Sequence, residues 1–271
     1  MRAQAVQRIG MTLGAALLAW PLHAAPADDL IDALRLDDMI ATMRTEGLAY
    51  GAELGEDMFQ GGDAGWQRLL EDIYDTDRME SLIEAEFTAA LGDTDLTPLI
   101  DFFESDQGQE IVELELAARE AMIDDEVEEM ARSTYRFADP DGGRTRQITR
   151  FIEANDLLDS NVAGAMNASF RFYLGLVDGG GFEMSESDII QDVWAQEPET
   201  RSDTQEWLYG FLLMAYDPLS DRELDQYIDL SATPEGMALN RALFTAFNKM
   251  YDDISYALGL AAAQQMQGQD L

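Results

Sequence analysis

The chain has 271 residues, 46% of them hydrophobic, with 54 acidic side chains against 17 basic ones and a formal charge of −37. That apolar content is enough to bury a core and excludes wholesale disorder. Cysteine is absent, which excludes a disulfide framework, a thiolate nucleophile and a cysteine-ligated zinc.

Arg2 and Arg8 open the chain, Ile9 to Trp20 is an apolar stretch of 12 residues, and Pro21-Leu22-His23-Ala24-Ala25 precedes acidic Asp28 and Asp29. Positive, then apolar, then small is the order of a secretory signal peptide. Residues 1–24 are therefore expected to be removed on export to the periplasm, with the cut after Ala24 or at a neighbouring position up to Ala27. The apolar stretch is short for a bilayer span and no later run approaches about 18 apolar residues, so no membrane insertion is expected after cleavage. Removal takes away Arg2, Arg8 and the only histidine, His23, leaving 15 basic residues and a charge of −39. The commonest general base and transition-metal ligands are then missing, so no cofactor and no such metal site is expected. A surface this negative repels phosphate backbones and anionic lipid, which excludes nucleic acid as a partner. Its self-repulsion is relieved by salt.

Beyond the signal segment the sequence answers itself. Shifted by 128, Trp66 meets Trp194, Asp75-Thr76 meets Asp203-Thr204, Ile100-Asp101 meets Ile228-Asp229, and Met122 meets Met250. Residues 66–131 give 14 identities in 66 positions without a gap, where unrelated sequences give about 4 or 5. At a shift of 127, Ala27 to Asp32 meets Ala154 to Asp159. The expectation is a tandem duplication, with helical repeat unit 1 at 27–140 and unit 2 at 144–268, joined by the turn-forming run Asp139-Pro140-Asp141-Gly142-Gly143. Charge is uneven: −26 over residues 27–143 and −13 over residues 144–271.

Apolar spacing is helical throughout. Val112, Leu116, Ile123, Val127 and Met130 share one face, and Leu243, Phe247, Met250, Ile254 and Leu258 do the same in the second unit. No stretch alternates strictly with β-branched residues, so the expected class is all-α, about five helices per unit. The last helix of each is expected to be long, near 106–137 and 234–264. Gly61-Gly62 and Gly179-Gly180-Gly181 break the chain before the two tryptophan helices, and Ser185 and Ser220 stand where helices open.

The run Leu99-Ile100-Asp101-Phe102-Phe103-Glu104-Ser105-Asp106-Gln107-Gly108-Gln109 resembles the signature of the exported bacterial helical family called domain of unknown function 2059. Tyr227 to Gly236 resembles it again, with Thr233 for the serine and Ser231 where the aromatic is missing. The resemblance implies an exported, all-helical module and carries no catalytic residues. Read from the residues alone, Ser105, Gly108, Thr233, Gly236, Phe102 and Phe103 form a structural motif. A hydroxyl caps the second helix, a glycine lets a neighbour come close, and aromatics pack across the corner.

Candidate chemistry is sparse. Asp124-Asp125, Asp252-Asp253, Asp101 and Asp229 recur as carboxylates, but neighbours on a helix point about 100° apart. Asp139 to Gly143 has a calcium-loop fragment without the remaining ligands, so no metal site is expected there. Arg132, Arg136, Arg144, Arg146 and Arg150 gather around the joint. They suit an anion or carboxylate ligand, or else pair with the surrounding acids and fix one unit against the other. Phe170-Arg171-Phe172-Tyr173-Leu174 is apolar nearly all round and belongs in a core, or in a groove wall where exposed.

The functional expectation is a non-enzymatic binding or interaction module of the cell envelope, whose partner is an envelope protein or a small ligand. The alternatives are a hydrolase working with carboxylates alone and an acidic partner steered toward a basic envelope protein.

Overall fold

Residues 24–58 and 64–269 are described by a computed structural model of the chain. The expected signal segment up to His23 and the pair Gly61-Gly62 lie outside the described residues. Before the Asp139–Gly143 joint run α1 (Ala24–Ala33), α2 (Leu36–Met58), α3 (Ala64–Ile73), α4 (Thr76–Leu91), α5 (Thr97–Phe103), α6 (Asp106–Ala121) and α7 (Asp125–Phe137). After it run α8 (Gly143–Ala154), α9 (Leu157–Asp178), α10 (Glu186–Ala195), α11 (Glu197–Ala215), α12 (Asp221–Ser231) and α13 (Pro234–Gln269). No strand occurs among the described residues, so the class is all-α.

The corner at Ser105 is built as its residue types dictate. Ser105 Oγ accepts the Gly108 N–H at 3.1 Å and donates to the Phe102 carbonyl at 2.5 Å. Thr233 does the same with the Gly236 N–H at 3.0 Å and the Leu230 carbonyl at 2.7 Å. A Cβ on Gly108 would overlap the Phe102 carbonyl, and one on Gly236 the Leu230 carbonyl. Glycine therefore lets each pair of helices cross at its first turn.

The joints α1–α2 and α8–α9 also share a geometry. Arg35 and Asp156 both adopt a left-handed φ of 51°. Leu34 N and Asn155 N bond the carbonyls of Leu30 and Phe151, and Met39 N and Ser160 N those of Arg35 and Asp156. These pairs stand 121 residues apart, not the expected 127, and the starts of α4 and α11 keep that spacing, whereas the starts of α6 and α13 stand 128 apart.

The expected helix over 106–137 is broken. Asp124 turns its carboxylate onto the Glu126 N–H at 2.9 Å and the Val127 N–H at 3.4 Å, ending α6 and starting α7. At the equivalent Asp252 in α13 the helix runs through, and the next residue, Asp253, pairs with Lys249 one turn earlier. Sequence equivalence thus gives one helix of 36 residues where the first half has two.

That difference decides where the cores lie. α7 packs on α11, while the far part of α13 packs on α4 and α9. The larger apolar cluster joins Leu30, Trp66, Ile83, Phe87 and Leu99 to Met250, Ile254 and Leu258 of α13. The smaller joins Ile148, Tyr216, Leu224 and Ile228 to Ile111 and Ala118 of α6. Each half lends its closing helices to the other's core.

Candidate functional site

The five joint arginines do not converge on one cavity. Arg132 pairs with Glu128 at 2.7 Å and Asp203 at 3.0 Å, and Arg136 pairs with Glu129 and with Glu206. Both tie α7 to α11. Burial works against the Arg132 charge, yet Glu128 and Asp203 more than offset it and hold the guanidinium above its ordinary range. Arg144 donates to the Leu219 carbonyl at 2.5 Å and lies 3.4 Å from Asp221, and Arg150 pairs with Asp225. These two clip α8 to α12. Bonds from Gln147 and Arg150 depress the Asp225 carboxyl. Arg146 donates to the Asp141 carbonyl of its own turn.

The two corners touch. Phe102 stacks on Tyr227 with ring centroids 5.8 Å apart, Phe103 meets the same ring edge-on, and Gln107 donates to the Glu223 carbonyl at 3.1 Å. Beside them Glu115 of α6 accepts the Tyr216 hydroxyl at 2.5 Å and the Tyr227 hydroxyl at 3.3 Å. Burial pushes its carboxyl up to about 7, against the two phenols that lower it. Sequence periodicity places Glu115 on a helix but gives no sign that its face is buried by the other half.

Of the carboxylates singled out in the sequence, Asp124 is committed to capping α7. Asp252 is raised by partial burial, with Arg171 acting against the shift and Asp253 reinforcing it. Among the described residues no three His, Cys, Asp or Glu side chains gather as a cation site, and no helix is long and apolar enough to cross a membrane.

An open apolar groove of about 620 Å³ lies between α9, α10 and α11. The Ser185–Asp188 capping box fixes the start of α10. One face of α10 then presents Ile190, Val193 and Trp194 across from Val162, Met166 and Phe170 of α9. Trp194 is 64% exposed and Ile190 43%. The rim is charged: Glu186 at one end, and Arg201 bound to Asp159 at 2.6 Å and to Glu197 at 2.7 Å at the other. Of the aromatic run expected to line a core or groove, Phe170 lines this one, while Phe172 and Tyr173 turn to a different face of α9. The Ile190-Val193-Trp194 stripe was legible as a helical apolar face, but its exposure was not.

Fold and site together define an all-α protein with an apolar, acid-rimmed groove. Residues 77–135 match the family model described as an uncharacterised protein conserved in bacteria, DUF2059. The match runs from α4 through the Ser105 corner into α7 and takes in well under half of the chain. No curated protein and no solved structure matches this chain.

Proposed function

We propose that the chain is an exported, non-enzymatic binding module of the bacterial cell envelope, which holds apolar side chains of a cationic amphipathic peptide segment in the α9–α10–α11 groove. The carrying observation is the exposed Trp194–Ile190 face over an apolar cleft. Large apolar side chains left open beside a concave wall suit a partner's apolar stripe. The occupant's charge follows from the field: Arg201 pairs with Asp159 and Glu197 on the rim, Glu186 makes no ion pair among the described residues, and the chain carries −37 overall. The signal-like first 24 residues support export, and the family match supports a bacterial source.

We also read units 27–140 and 144–268 as tandem copies. Support comes from the paired corners, with the same two bonds at Ser105 and Thr233, and from the paired left-handed joints at Arg35 and Asp156. The carboxylate-only hydrolase has less support, because the strongly raised carboxyl, Glu115, faces two phenols rather than a second carboxylate.

The groove is tested with two helical peptides, one of leucine and lysine and one of leucine and glutamate. Trp194 is exposed whereas Trp66 is buried and Trp207 is half-buried against Phe211, so the leucine–lysine peptide should shift the fluorescence of the secreted chain to the blue, and Trp194→Ala should abolish the shift. An equal response to the glutamate peptide, or none to either, sinks the assignment. Intact-mass measurement of the envelope fraction tests export: the chain should begin within residues 25–28, and a chain retaining Arg2 would contradict it.

A further inference from the structure

A second cavity, of about 500 Å³, opens on another face of α9, where α2 and α13 close over it. It is independent of the groove. Small residues line it: Ala165 and Ala168 on α9, and Gly47 on α2, where the Tyr74 ring takes the place of a side chain. Four phenols line it, from Tyr50, Tyr74, Tyr173 and Tyr251. They come from α2, the end of α3, α9 and α13, so both halves of the chain build the wall.

The hydroxyls are available. Those of Tyr50, Tyr74 and Tyr173 make no hydrogen bond among the described residues; Tyr50 is exposed, and neither the Tyr74 nor the Tyr173 oxygen is a buried orphan. Tyr74 is only 5% exposed, so what its oxygen meets is the cavity. The Tyr251 oxygen accepts from Arg119 at 3.4 Å and keeps its proton to donate. Burial raises the Tyr50, Tyr74 and Tyr251 phenols above their ordinary range, so they remain neutral donors. Ser169 and Ser255 add two more hydroxyls to the wall.

The charge at the wall is already spent. Glu46 faces the cavity, but Arg119 holds both of its oxygens, at 2.8 and 2.7 Å. An organic cation would find rings but no open counter-charge. An anion would enter against −37 with the guanidinium occupied. A purely apolar ligand would strand the phenol donors, at about 1–3 kcal/mol for each one desolvated. The remaining chemistry is a neutral molecule rich in oxygen acceptors that also has an apolar face. A sugar ring has both, its C–H face lying on aromatic rings and its oxygens accepting from hydroxyls. The volume falls within the range of small-molecule sites.

We propose that this cavity is a carbohydrate site, in which Tyr50, Tyr74, Tyr173 and Tyr251 hold a neutral mono- or disaccharide by ring contact and hydroxyl donation. The test is saturation-transfer NMR on the secreted chain with glucose, N-acetylglucosamine and maltose, and separately with tetramethylammonium. At least one sugar should receive transfer. Its affinity should fall at least tenfold in the Tyr50→Phe/Tyr173→Phe double variant, which keeps both rings, and should be unchanged in Trp194→Ala. No transfer to any of the three sugars, or undiminished transfer in the double variant, overturns the assignment. Transfer to tetramethylammonium alone overturns it in favour of a cation cage.

Discussion

Tyr216, wholly buried just after α11, donates its phenol proton to Glu115 of α6 at 2.5 Å. The bond crosses from one half of the chain to the other, and Tyr227 of α12 adds a second at 3.3 Å. Because burial raises the Glu115 carboxyl from 4.5 to about 7, the folded chain binds that proton more tightly than the unfolded chain does. Stability contributed by this group is therefore gained as pH falls through 7 and is fully present below about 4.5. The difference between pH 8 and 5 is on the order of 1–3 kcal/mol. Exposed Asp95 and Asp188 and half-buried Glu223 and Asp225 are lowered by their bonds and act in the opposite sense at lower pH, where their protonation removes what they contribute. Thermal melts from pH 8 to 5 should rise, and Glu115→Gln should flatten that rise. A wild-type melt that falls over this range would remove the argument.

Trp66, Leu70 and Tyr74 stand against Gly55, Gly51 and Gly47 as a ridge in a groove. Trp66 Nε1 donates to the Gly51 carbonyl at 2.8 Å, and a Cβ on Gly47 would overlap the Tyr74 ring. Gly51→Leu should cost about 3 kcal/mol or more, because the Leu70 side chain already fills the space. Trp66→Phe keeps most of the packing and strands the Gly51 carbonyl less severely, so about 1–2 kcal/mol is expected. Urea unfolding followed by circular dichroism measures both. Equal costs would show that close approach does not govern the α2–α3 contact.

The fold was legible where local chemistry decides it and obscure where distant chain does. The Ser105 and Thr233 corners, the Ser185 and Ser220 caps and the joint at Asp139 can all be read from neighbours in sequence. The break at Asp124 could not, since Asp124-Asp125 and Asp252-Asp253 are identical, yet only Asp124 caps a new helix. The spacing Gly47, Gly51, Gly55 is visible in the sequence, but the aromatic ridge that fills it is not. Nor does local pattern reveal that α6 and α13 complete each other's cores, because either apolar stripe suits either half.

The two corners offer a paired measurement. Ser105→Ala and Thr233→Ala each remove one acceptor for a first-turn N–H and should each cost about 1 kcal/mol. Ser105→Thr should be nearly neutral, since Thr233 makes the same two bonds. Gly108→Ala should cost more than either hydroxyl deletion, because its methyl meets the Phe102 carbonyl and not a movable side chain. Denaturant midpoints rank the four variants. A Gly108→Ala midpoint above that of Ser105→Ala would mean that the helices can separate without loss.

Arg132 and Arg146 separate a cross-link from a local contact. The Arg132 side chain is only 14% exposed and bridges Glu128 of α7 to Asp203 of α11, whereas Arg146 bonds a carbonyl of its own turn. Arg132→Glu would set three carboxylates together in a partly desolvated seat, with an expected loss of about 1–3 kcal/mol. Arg146→Glu should stay within about 1 kcal/mol, as an exposed charge change does. Salt provides the independent check. At −37, general repulsion alone should raise the melting temperature of the native chain as sodium chloride is added. The Arg132→Glu variant should recover part of its loss over the same range, since the added repulsion is short-ranged and only partly screened. A loss that salt leaves untouched would assign the damage to packing of the α7–α11 contact instead of its charge.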